Sequence, residues 1–323
     1  MRILITGVGG FVGRHLAQHL SDTLPGVELH GAMIGPLPVP AVPNVACHVV
    51  DLRDPDAISA LVTSIRPDRI YHLAAQAAVR QSFDTPWDTL ENNIRAQLNL
   101  ILACLKCETA PRMLIISSGE VYGTDQPPDV PTPEYAPMRP SSPYSVSKVT
   151  QDMLGLQYFL SHNLPIMRAR PFNHFGPGQN LGFVAPDFAT QIARIEAGLQ
   201  EPVMRVGSLR DERDFTDVRD IVRAYALIME RGIPGEAYNV ASGATHSIRK
   251  LLDTLLGFSQ VQIEVRVETS LLRPRPVSKT WGDASRLRAV TGWEPLIPFE
   301  QTLLDVLNDW RARVKARAQS GTS

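Results

Sequence analysis

Hydrophobic and polar positions in the first half of the chain alternate between two patterns. Short apolar runs that suit buried strands are each followed by a longer stretch with the apolar spacing of an amphipathic helix. The predicted strands cover residues 2–6, 27–32, 45–50, 69–76 and 111–116, and a sixth strand ends at residue 170. The predicted helices cover residues 15–20, 54–65, 85–107 and 144–162. This alternation predicts an α/β protein with a doubly wound parallel sheet and helices on both faces.

A glycine-rich turn joins the first predicted strand to the first predicted helix. Gly7, Gly10 and Gly13 have the spacing GxxGxxG. Glycines admit a tight turn and a close backbone approach, and the helix that follows directs its N-terminus at whatever lies in the turn. A strand, a glycine turn and a helix in this order predict a site for the pyrophosphate of a dinucleotide.

The other strand ends should complete this site, because ligands of doubly wound sheets bind beyond the carboxyl ends of the strands. Residues expected at this edge, besides the glycine turn, are Asp51, Leu73–Ala75, Ser117–Glu120 and Pro171–His174. The Asp51 carboxylate has two readings: it accepts a hydrogen bond from an adenine amino group, or it caps the helix near residue 54. The end of the second strand, Gly31–Ile34, has neither the acid typical of NAD sites nor the arginine typical of NADP sites. Both NADP(H) and NAD(H) therefore remain candidates.

A tyrosine and a lysine stand four residues apart just after Pro143. If Pro143 opens a helix, Tyr144 and Lys148 share one face, a turn apart. An ammonium group favours the phenolate, so Lys148 is expected to lower the pKa of Tyr144 and to suit it for proton exchange with a sugar hydroxyl or ketone. The alternative is an exposed helix turn that carries an incidental pair.

Length, composition and charge limit the classes of function. With 323 residues, 44% hydrophobic and 20% charged, the chain can form two domains of an ordinary soluble enzyme. We expect a gradual boundary, with residues 1–170 forming the dinucleotide-binding domain and residues 171–323 a smaller α/β substrate domain, some of whose segments return to the sheet. A net charge of −1 gives no sign of a nucleic-acid or membrane surface. With no apolar run of transmembrane length and a strand at residue 2, we expect a cytoplasmic protein.

Cysteine and histidine usage does not predict a metal site. Cys104 and Cys107 form a CxxC pair within an apolar helical pattern, which is typical of buried, reduced thiols. The eight histidines are scattered without metal-ligand spacing.

Four motifs together resemble the extended short-chain dehydrogenase/reductase family over essentially the whole chain. They are Gly7-x-x-Gly10-x-x-Gly13, Ser118-x-Glu120-Val121-Tyr122-Gly123, Tyr144-x-x-x-Lys148 and Arg213-Asp214-Phe215-Thr216-Asp217-Val218-Arg219-Asp220. Glu120 is a candidate catalytic carboxylate, or otherwise a strand-end carboxylate that anchors the active-site loop. The resemblance implies a Rossmann fold, an NAD(P) cofactor, a nucleotide-diphosphate-sugar substrate and a catalytic trio of Ser118, Tyr144 and Lys148. It also implies a homodimer in which the helices at 85–107 and 144–162 form a four-helix bundle with a second copy.

The resemblance extends to individual contacts. It implies cofactor contacts at Gly7, Gly10, Phe11, Val12, Gly13, Asp51, Leu52, Leu73, Ala74, Ala75, Asn93, Ser117, Tyr144, Lys148 and Pro171. It implies substrate contacts at Ser118, Glu120, Tyr144, Asn173, Val184, Arg213 and Arg273. The two arginines are candidates for a clamp on the diphosphate, because guanidinium groups pair bidentately with phosphate. Each is otherwise a surface arginine, and Asn173 is otherwise a structural loop residue.

The second half of the chain resembles the GDP-sugar branch of that family, through the segments 170–179, 181–188, 207–215 and 272–274. The implied reaction is reduction of the C4 ketone of GDP-4-keto-6-deoxy-D-mannose to GDP-D-rhamnose. The first alternative is the 4,6-dehydration of GDP-mannose, in which Glu120 would remove the C5 proton. Those dehydratases have Gly-Gln-Asp-Gly in the glycine turn and an arginine after the second strand, whereas this chain has Phe11-Val12 and no such arginine. Further alternatives are another nucleotide-sugar epimerase or dehydratase and a non-catalytic nucleotide-binding protein.

Overall fold

A computed structural model of the chain describes residues 1–35, 44–106, 110–127, 129–271 and 278–320. The strands are β1 (Arg2–Thr6), β2 (Glu28–Met33), β3 (Val45–Val49), β4 (Arg69–His72), β5 (Arg112–Ile116), β6 (Ile166–Pro171), β7 (Asn173–Phe175), β8 (Val203–Val206), β9 (Glu212–Asp217), β10 (Ala237–Val240), β11 (Thr245–Ser247), β12 (Glu264–Val267) and β13 (Lys279–Thr280). The helices are α1 (Phe11–Thr23), α2 (Pro55–Ile65), α3 (Val79–Asp84), α4 (Pro86–Leu105), α5 (Pro143–His162), α6 (Val184–Glu196), α7 (Val218–Arg231), α8 (Ile248–Gly257), α9 (Ser285–Thr291) and α10 (Phe299–Ser320). Short 3₁₀ turns cover Gly119–Tyr122 and Thr269–Leu271.

The main sheet has seven parallel strands in the order β10-β6-β5-β4-β1-β2-β3. The order reverses direction between β1 and β4, which is the switch point where ligands of doubly wound sheets bind. The predicted fold class is therefore confirmed. The outer strand beyond β6 is β10, which comes from the second half of the chain.

Helices cover both faces of this sheet because its strands are apolar on both sides. Ile3 and Ile5 of β1 pack in the cluster that holds the buried faces of α1 and α7. Leu4, which points to the other side, packs with α2 and α4. Helix α5 lies beside α4 and against β5 and β6. The carboxyl ends of the strands are left uncovered by these layers.

A second core forms around α6, α8 and α10. Beside it are a sheet of β11, β9 and β13, in which β9 also pairs with β7, and a two-stranded sheet of β8 and β12. The domain boundary expected near residue 170 stays a prediction. Helix α7 and strand β10 follow that residue in the chain and pack with the main sheet. Within the described ranges, no helix is both long and apolar enough to cross a bilayer.

Several element boundaries differ from the sequence prediction, and two of them lie close to the cavity or to α4. The helix expected at 85–107 starts one residue later, and the short helix α3 precedes it. Pro86 occupies the first turn of α4, where its missing N–H costs nothing, and it disfavours helical backbone at Thr85. The fourth strand stops at His72 rather than continuing to residue 76, so the small residues after it form loop backbone beside the cavity.

Candidate active site

A cavity of about 720 Å³ lies at the carboxyl ends of the parallel strands. It reaches from the end of β2 across β1, β4 and β5 to the segment after β6. Most of the residues predicted for the site lie on its wall. They are Gly7, Gly10, Phe11, Val12, Gly13, Asp51, Leu52, Leu73, Ala74, Ala75, Ser117, Ser118, Glu120, Tyr144, Lys148, Pro171 and Asn173.

The glycine turn packs so tightly that side chains cannot replace its hydrogens. Gly7 has a φ of +74°, and a Cβ there would lie 2.9 Å from the backbone nitrogen of Ala74. A Cβ on Gly13 would lie 2.3 Å from the carbonyl oxygen of Gly7. The backbone therefore lies directly against the cavity, and the N-terminus of α1 opens into it. This geometry suits a pyrophosphate, which backbone N–H groups and the helix dipole both attract.

Asp51 faces the far end of the cavity, between the ends of β2 and β3. The cap of α2 is Asp54, whose side chain accepts from two backbone N–H groups of the first turn, so the reading of Asp51 as the helix cap is wrong. Asp51 instead accepts from the backbone and side chain of Arg53, at distances of 2.7–3.1 Å. These hydrogen bonds lower the pKa of Asp51. Arg53, Met33 and Ile34 also line this end and were not predicted.

Ser118, Tyr144 and Lys148 meet at the opposite end of the cavity. Ser118 precedes the 3₁₀ turn Gly119–Tyr122 and caps it, since its Oγ accepts from the backbone nitrogen of Glu120 at 3.1 Å. The Ser118 side chain also acts on Tyr144, whose pKa it lowers. Tyr144 and Lys148 lie one turn apart on α5, and a capping box at Ser142 fixes the start of that helix. The Lys148 ammonium donates to the carbonyl oxygen of Ile116 at 2.8 Å.

Burial dominates the titration of this group. It raises the pKa of Tyr144 to about 12, although the Ser118 side chain opposes the shift. It also lowers the pKa of Lys148 to about 7. The expectation of a lowered Tyr144 pKa is thus wrong. Desolvation destabilises the Tyr144 phenolate more than the Ser118 side chain stabilises it, so the pKa of Tyr144 rises. Desolvation also disfavours the charged ammonium form of Lys148.

Asn93, predicted to contact the cofactor, lies behind the wall of the cavity. Its amide is fully buried, accepts from the backbone nitrogen of Gln76 at 2.7 Å and donates to Ser147 Oγ at 2.9 Å. The neighbouring Asn92 lines the cavity instead. Asn93 therefore holds the loop at Gln76, and its contact with the cofactor stays a prediction.

Two predicted substrate contacts, Val184 and Arg213, are not among the residues that line this cavity. Val184 starts α6, and Phe183 before it lines the cavity. Arg213 donates to the backbone oxygen and the hydroxyl of Ser278, at 2.8 and 2.9 Å. Arg273 lies outside the described residues. Substrate contacts by these three stay predictions.

Other residues on the wall were not singled out from the sequence: Asn92, Gln179, Asn180, Phe183 and Thr280. His174, which was expected at this edge, also lines the cavity. Its Nδ1 lies 3.0 Å from the carbonyl oxygen of Phe172, which can only accept, so Nδ1 carries the proton. Burial lowers the pKa of His174 and keeps the ring neutral.

Comparison with known proteins places the chain in a family. A family model described as GDP-mannose 4,6 dehydratase matches residues 4–306. A GDP-6-deoxy-D-mannose reductase from Pseudomonas aeruginosa is 37% identical, with 97% of this chain and 98% of the relative covered. A GDP-mannose 4,6 dehydratase from Arabidopsis thaliana is 29% identical, with 92% and 83% covered.

Solved structures agree with this placement. RMD from Pseudomonas aeruginosa, complexed with NADPH, has a TM-score of 0.86 at 36% identity and covers 97% of this chain and 99% of its own. UDP-glucose 4-epimerase from Thermus thermophilus, in complex with NAD, has a TM-score of 0.85 at 26% identity, with 96% and 99% covered. The resemblance carried by the four sequence motifs is confirmed, and the chain belongs to the GDP-mannose 4,6-dehydratase family of extended short-chain dehydrogenase/reductases.

Proposed function

We propose that this protein reduces the C4 ketone of GDP-4-keto-6-deoxy-D-mannose to GDP-D-rhamnose with NADPH or NADH. The observation that carries the proposal is the 37% identity to a GDP-6-deoxy-D-mannose reductase over nearly the full length of both chains. The cavity supports it, because the glycine turn lines one end, and Ser118, Tyr144 and Lys148 line the other.

The site residues have complementary tasks in such a reduction. A bound reduced nicotinamide supplies a hydride to C4. As the carbonyl π bond breaks, its electron pair moves to the oxygen, and Tyr144 gives that oxygen its phenolic proton. The raised pKa of Tyr144 keeps this proton in place at neutral pH. Ser118 donates a hydrogen bond to the developing oxyanion, and the Lys148 ammonium stabilises the phenolate until solvent returns a proton.

The cofactor and substrate contacts predicted from the sequence belong to the same proposal. The glycine turn holds the pyrophosphate, Asp51 and Leu52 lie against the adenine, and Lys148 contacts the nicotinamide ribose. Asn173 contacts the sugar end of the substrate. We also propose a cytoplasmic location, where the chain pairs as a homodimer through α4 and α5.

A second candidate function is the 4,6-dehydration of GDP-mannose. The observation that favours it is the position of Glu120, which lines the cavity within the same turn that Ser118 caps. A carboxylate there could act as the base that removes the C5 proton. The two functions require different starting sugars and can be separated in one assay.

The first experiment follows absorbance at 340 nm with the purified protein. One reaction contains GDP-4-keto-6-deoxymannose with NADPH or NADH, and the other contains GDP-mannose with catalytic NADP⁺ and is assayed for the keto sugar. We expect cofactor oxidation in the first and no keto sugar in the second. Keto-sugar formation in the second, with a silent first reaction, would identify a dehydratase.

Replacement of the proposed proton donor tests the mechanism. Tyr144→Phe should bind NADPH like the wild type and lose about 10²- to 10⁴-fold in turnover, the usual contribution of a positioned acid. Tyr158→Phe removes a hydroxyl from the same helix away from the cavity wall and should keep full turnover. Wild-type rates in Tyr144→Phe would remove Tyr144 from the mechanism.

A further inference from the structure

A buried charge cluster lies behind the active-site end of the cavity. Asp152 of α5 accepts from Arg168 at 2.7 Å and from two nitrogens of Arg170 at 2.7 and 2.8 Å. The side chains are 0%, 7% and 4% exposed. Burial alone would raise the pKa of Asp152, but the two guanidinium groups hold it below its ordinary value. The cluster therefore stays charged at neutral pH, and the paired groups have few alternative positions.

Arg170, unlike Arg168, also forms a hydrogen bond with the 3₁₀ turn Gly119–Tyr122. The third nitrogen of Arg170, Nη1, donates to the Tyr122 hydroxyl at 2.9 Å and to the carbonyl oxygen of Glu134 at 2.8 Å. The Tyr122 hydroxyl then donates to Asn239 Oδ1 at 2.8 Å. Arg168 instead donates to the carbonyl oxygen of Gly235, on the side of β10.

Arg170 thus holds two elements that each supply part of the active site. Asp152 lies on α5 four residues beyond Lys148 and eight beyond Tyr144, so the three share one side of the helix. Tyr122 is the last residue of the 3₁₀ turn that Ser118 caps. A single guanidinium therefore joins the helix that presents Tyr144 to the turn that presents Ser118.

We propose that Arg170 and Tyr122 are positioning residues that set the place of Ser118 and Glu120 relative to Tyr144. The inference rests on the proposed reduction, in which Ser118 and Tyr144 act on the same oxygen. Displacement of a catalytic group by about 1 Å can cost about 10²-fold in rate. A buried ion cluster resists such displacement better than the backbone of a four-residue turn.

The mildest test is Tyr122→Phe, which keeps the ring and removes the hydroxyl. We expect kcat to fall by about tenfold or more, with the KM for the sugar and the Kd for NADPH within about twofold of the wild type. The control is Tyr238→Phe, because Tyr238 is also buried and its hydroxyl accepts one hydrogen bond, from the backbone nitrogen of Ile233. The control should lose some stability and keep its kcat. Equal kcat values in the two variants would overturn the proposal.

The two arginines give a second comparison within one cluster. Arg170→Lys should lower kcat as Tyr122→Phe does, whereas Arg168→Lys should act on stability alone. If both lysine variants lose kcat in proportion to their stability, the cluster is only structural and the inference fails.

Hydrogen exchange separates this inference from the proposed function. Amides of residues 119–123 should exchange faster in Tyr122→Phe and Arg170→Lys than in the wild type and the two controls. If the wild type reduces no keto sugar but this pattern holds, the proposed reaction is wrong and the positioning role stands. If the wild type is an active reductase and the exchange rates do not differ, the positioning role is wrong.

Discussion

Lys148 is buried, although the proposed reduction requires the positive charge of its ammonium group. Its side chain is 4% exposed, and burial lowers its pKa to about 7 from 10.5. A lysine with such a pKa binds fewer protons in the folded state than in the unfolded state between those two values. The folded protein is therefore penalised below about pH 7, and the penalty is lost as the pH rises toward 10.5.

Lys148→Met should accordingly stabilise the protein while it removes turnover. We expect a gain on the order of a few kcal/mol at pH 6, from about 1.4 kcal/mol per pKa unit. The gain should shrink steadily between pH 7 and pH 9. Denaturant unfolding at several pH values measures it, with the exposed Lys250→Met as control. A difference between Lys148→Met and wild type that does not change with pH would contradict this account.

The positions of some single residues could be predicted from the sequence, whereas those of others could not. The glycine turn and the pair Tyr144 and Lys148 could be placed because their chemistry follows from local spacing. The choice between Asn92 and Asn93 could not, because adjacent residues on a helix point about 100° apart and the facing element is unknown. The contact of Arg213 with Ser278 joins residues 65 positions apart, and no local pattern predicts it.

The pKa of Tyr144 could not be predicted for a related reason. The sequence places a lysine one turn away, and that neighbour alone would lower the value. Desolvation is decided by the cavity wall that β5, α5 and the segment after β6 build together. The spacing of Tyr144 and Lys148 in the sequence shows that they share a helix face, whereas the burial that sets the pKa of Tyr144 depends on the complete fold.

Among the elements, the strands and helices of the first half could be predicted because a buried parallel sheet leaves a strong apolar signal. The boundary at Pro86 and the early end of β4 were missed. Both depend on residues that suit more than one conformation until the tertiary contacts are in place.

The turn between β1 and α1 offers a test of close packing in one element. Gly13→Ala would set a Cβ 2.3 Å from the Gly7 oxygen and 2.8 Å from Val8 Cα, so α1 has to move away from the turn. We expect NADPH affinity to fall by about tenfold or more and the free energy of unfolding to fall by about 1–3 kcal/mol, as for an overpacked core.

A second glycine serves as the control for that substitution. Gly257 ends α8, and a Cβ there would contact nothing within 4 Å. Gly257→Ala should leave NADPH binding unchanged and keep or raise stability. Fluorescence titration with NADPH and denaturant unfolding measure both effects. Unchanged affinity in Gly13→Ala would show that the turn does not hold the pyrophosphate.

At the scale of the whole molecule, the exposed side of α5 is the surface through which we expect the proposed dimer to form. Val146, Met153 and Leu160 recur every seven residues and are 41%, 38% and 69% exposed. A stripe of this kind suits pairing with another helix. We expect the wild type to have a dimeric mass by light scattering at micromolar concentration. The double variant Met153→Glu and Leu160→Glu should be monomeric, because it would bury two pairs of like charges.

An exposed leucine elsewhere controls for added charge in that experiment. Leu199 is 48% exposed and follows α6, so Leu199→Glu should keep the dimeric mass. A monomeric wild type would refute the interface, and a double variant that stays dimeric would move it away from α5.

The position of β10 at the outer edge of the main sheet bears on how the protein is made. Translation completes β6 at residue 171, yet the strand that covers its free edge ends at residue 240. The backbone and the side chain of Arg168 donate hydrogen bonds to residues 235–236, so these bonds also form only after that segment has been synthesised. A ribosome-bound chain that has passed the dinucleotide-binding half therefore carries an unpaired sheet edge for the synthesis of about seventy more residues, at roughly 5–20 residues per second. During those seconds, the nascent chain is a substrate for chaperones that shield strand edges, and a stall or truncation between residues 171 and 240 yields a fragment prone to aggregate.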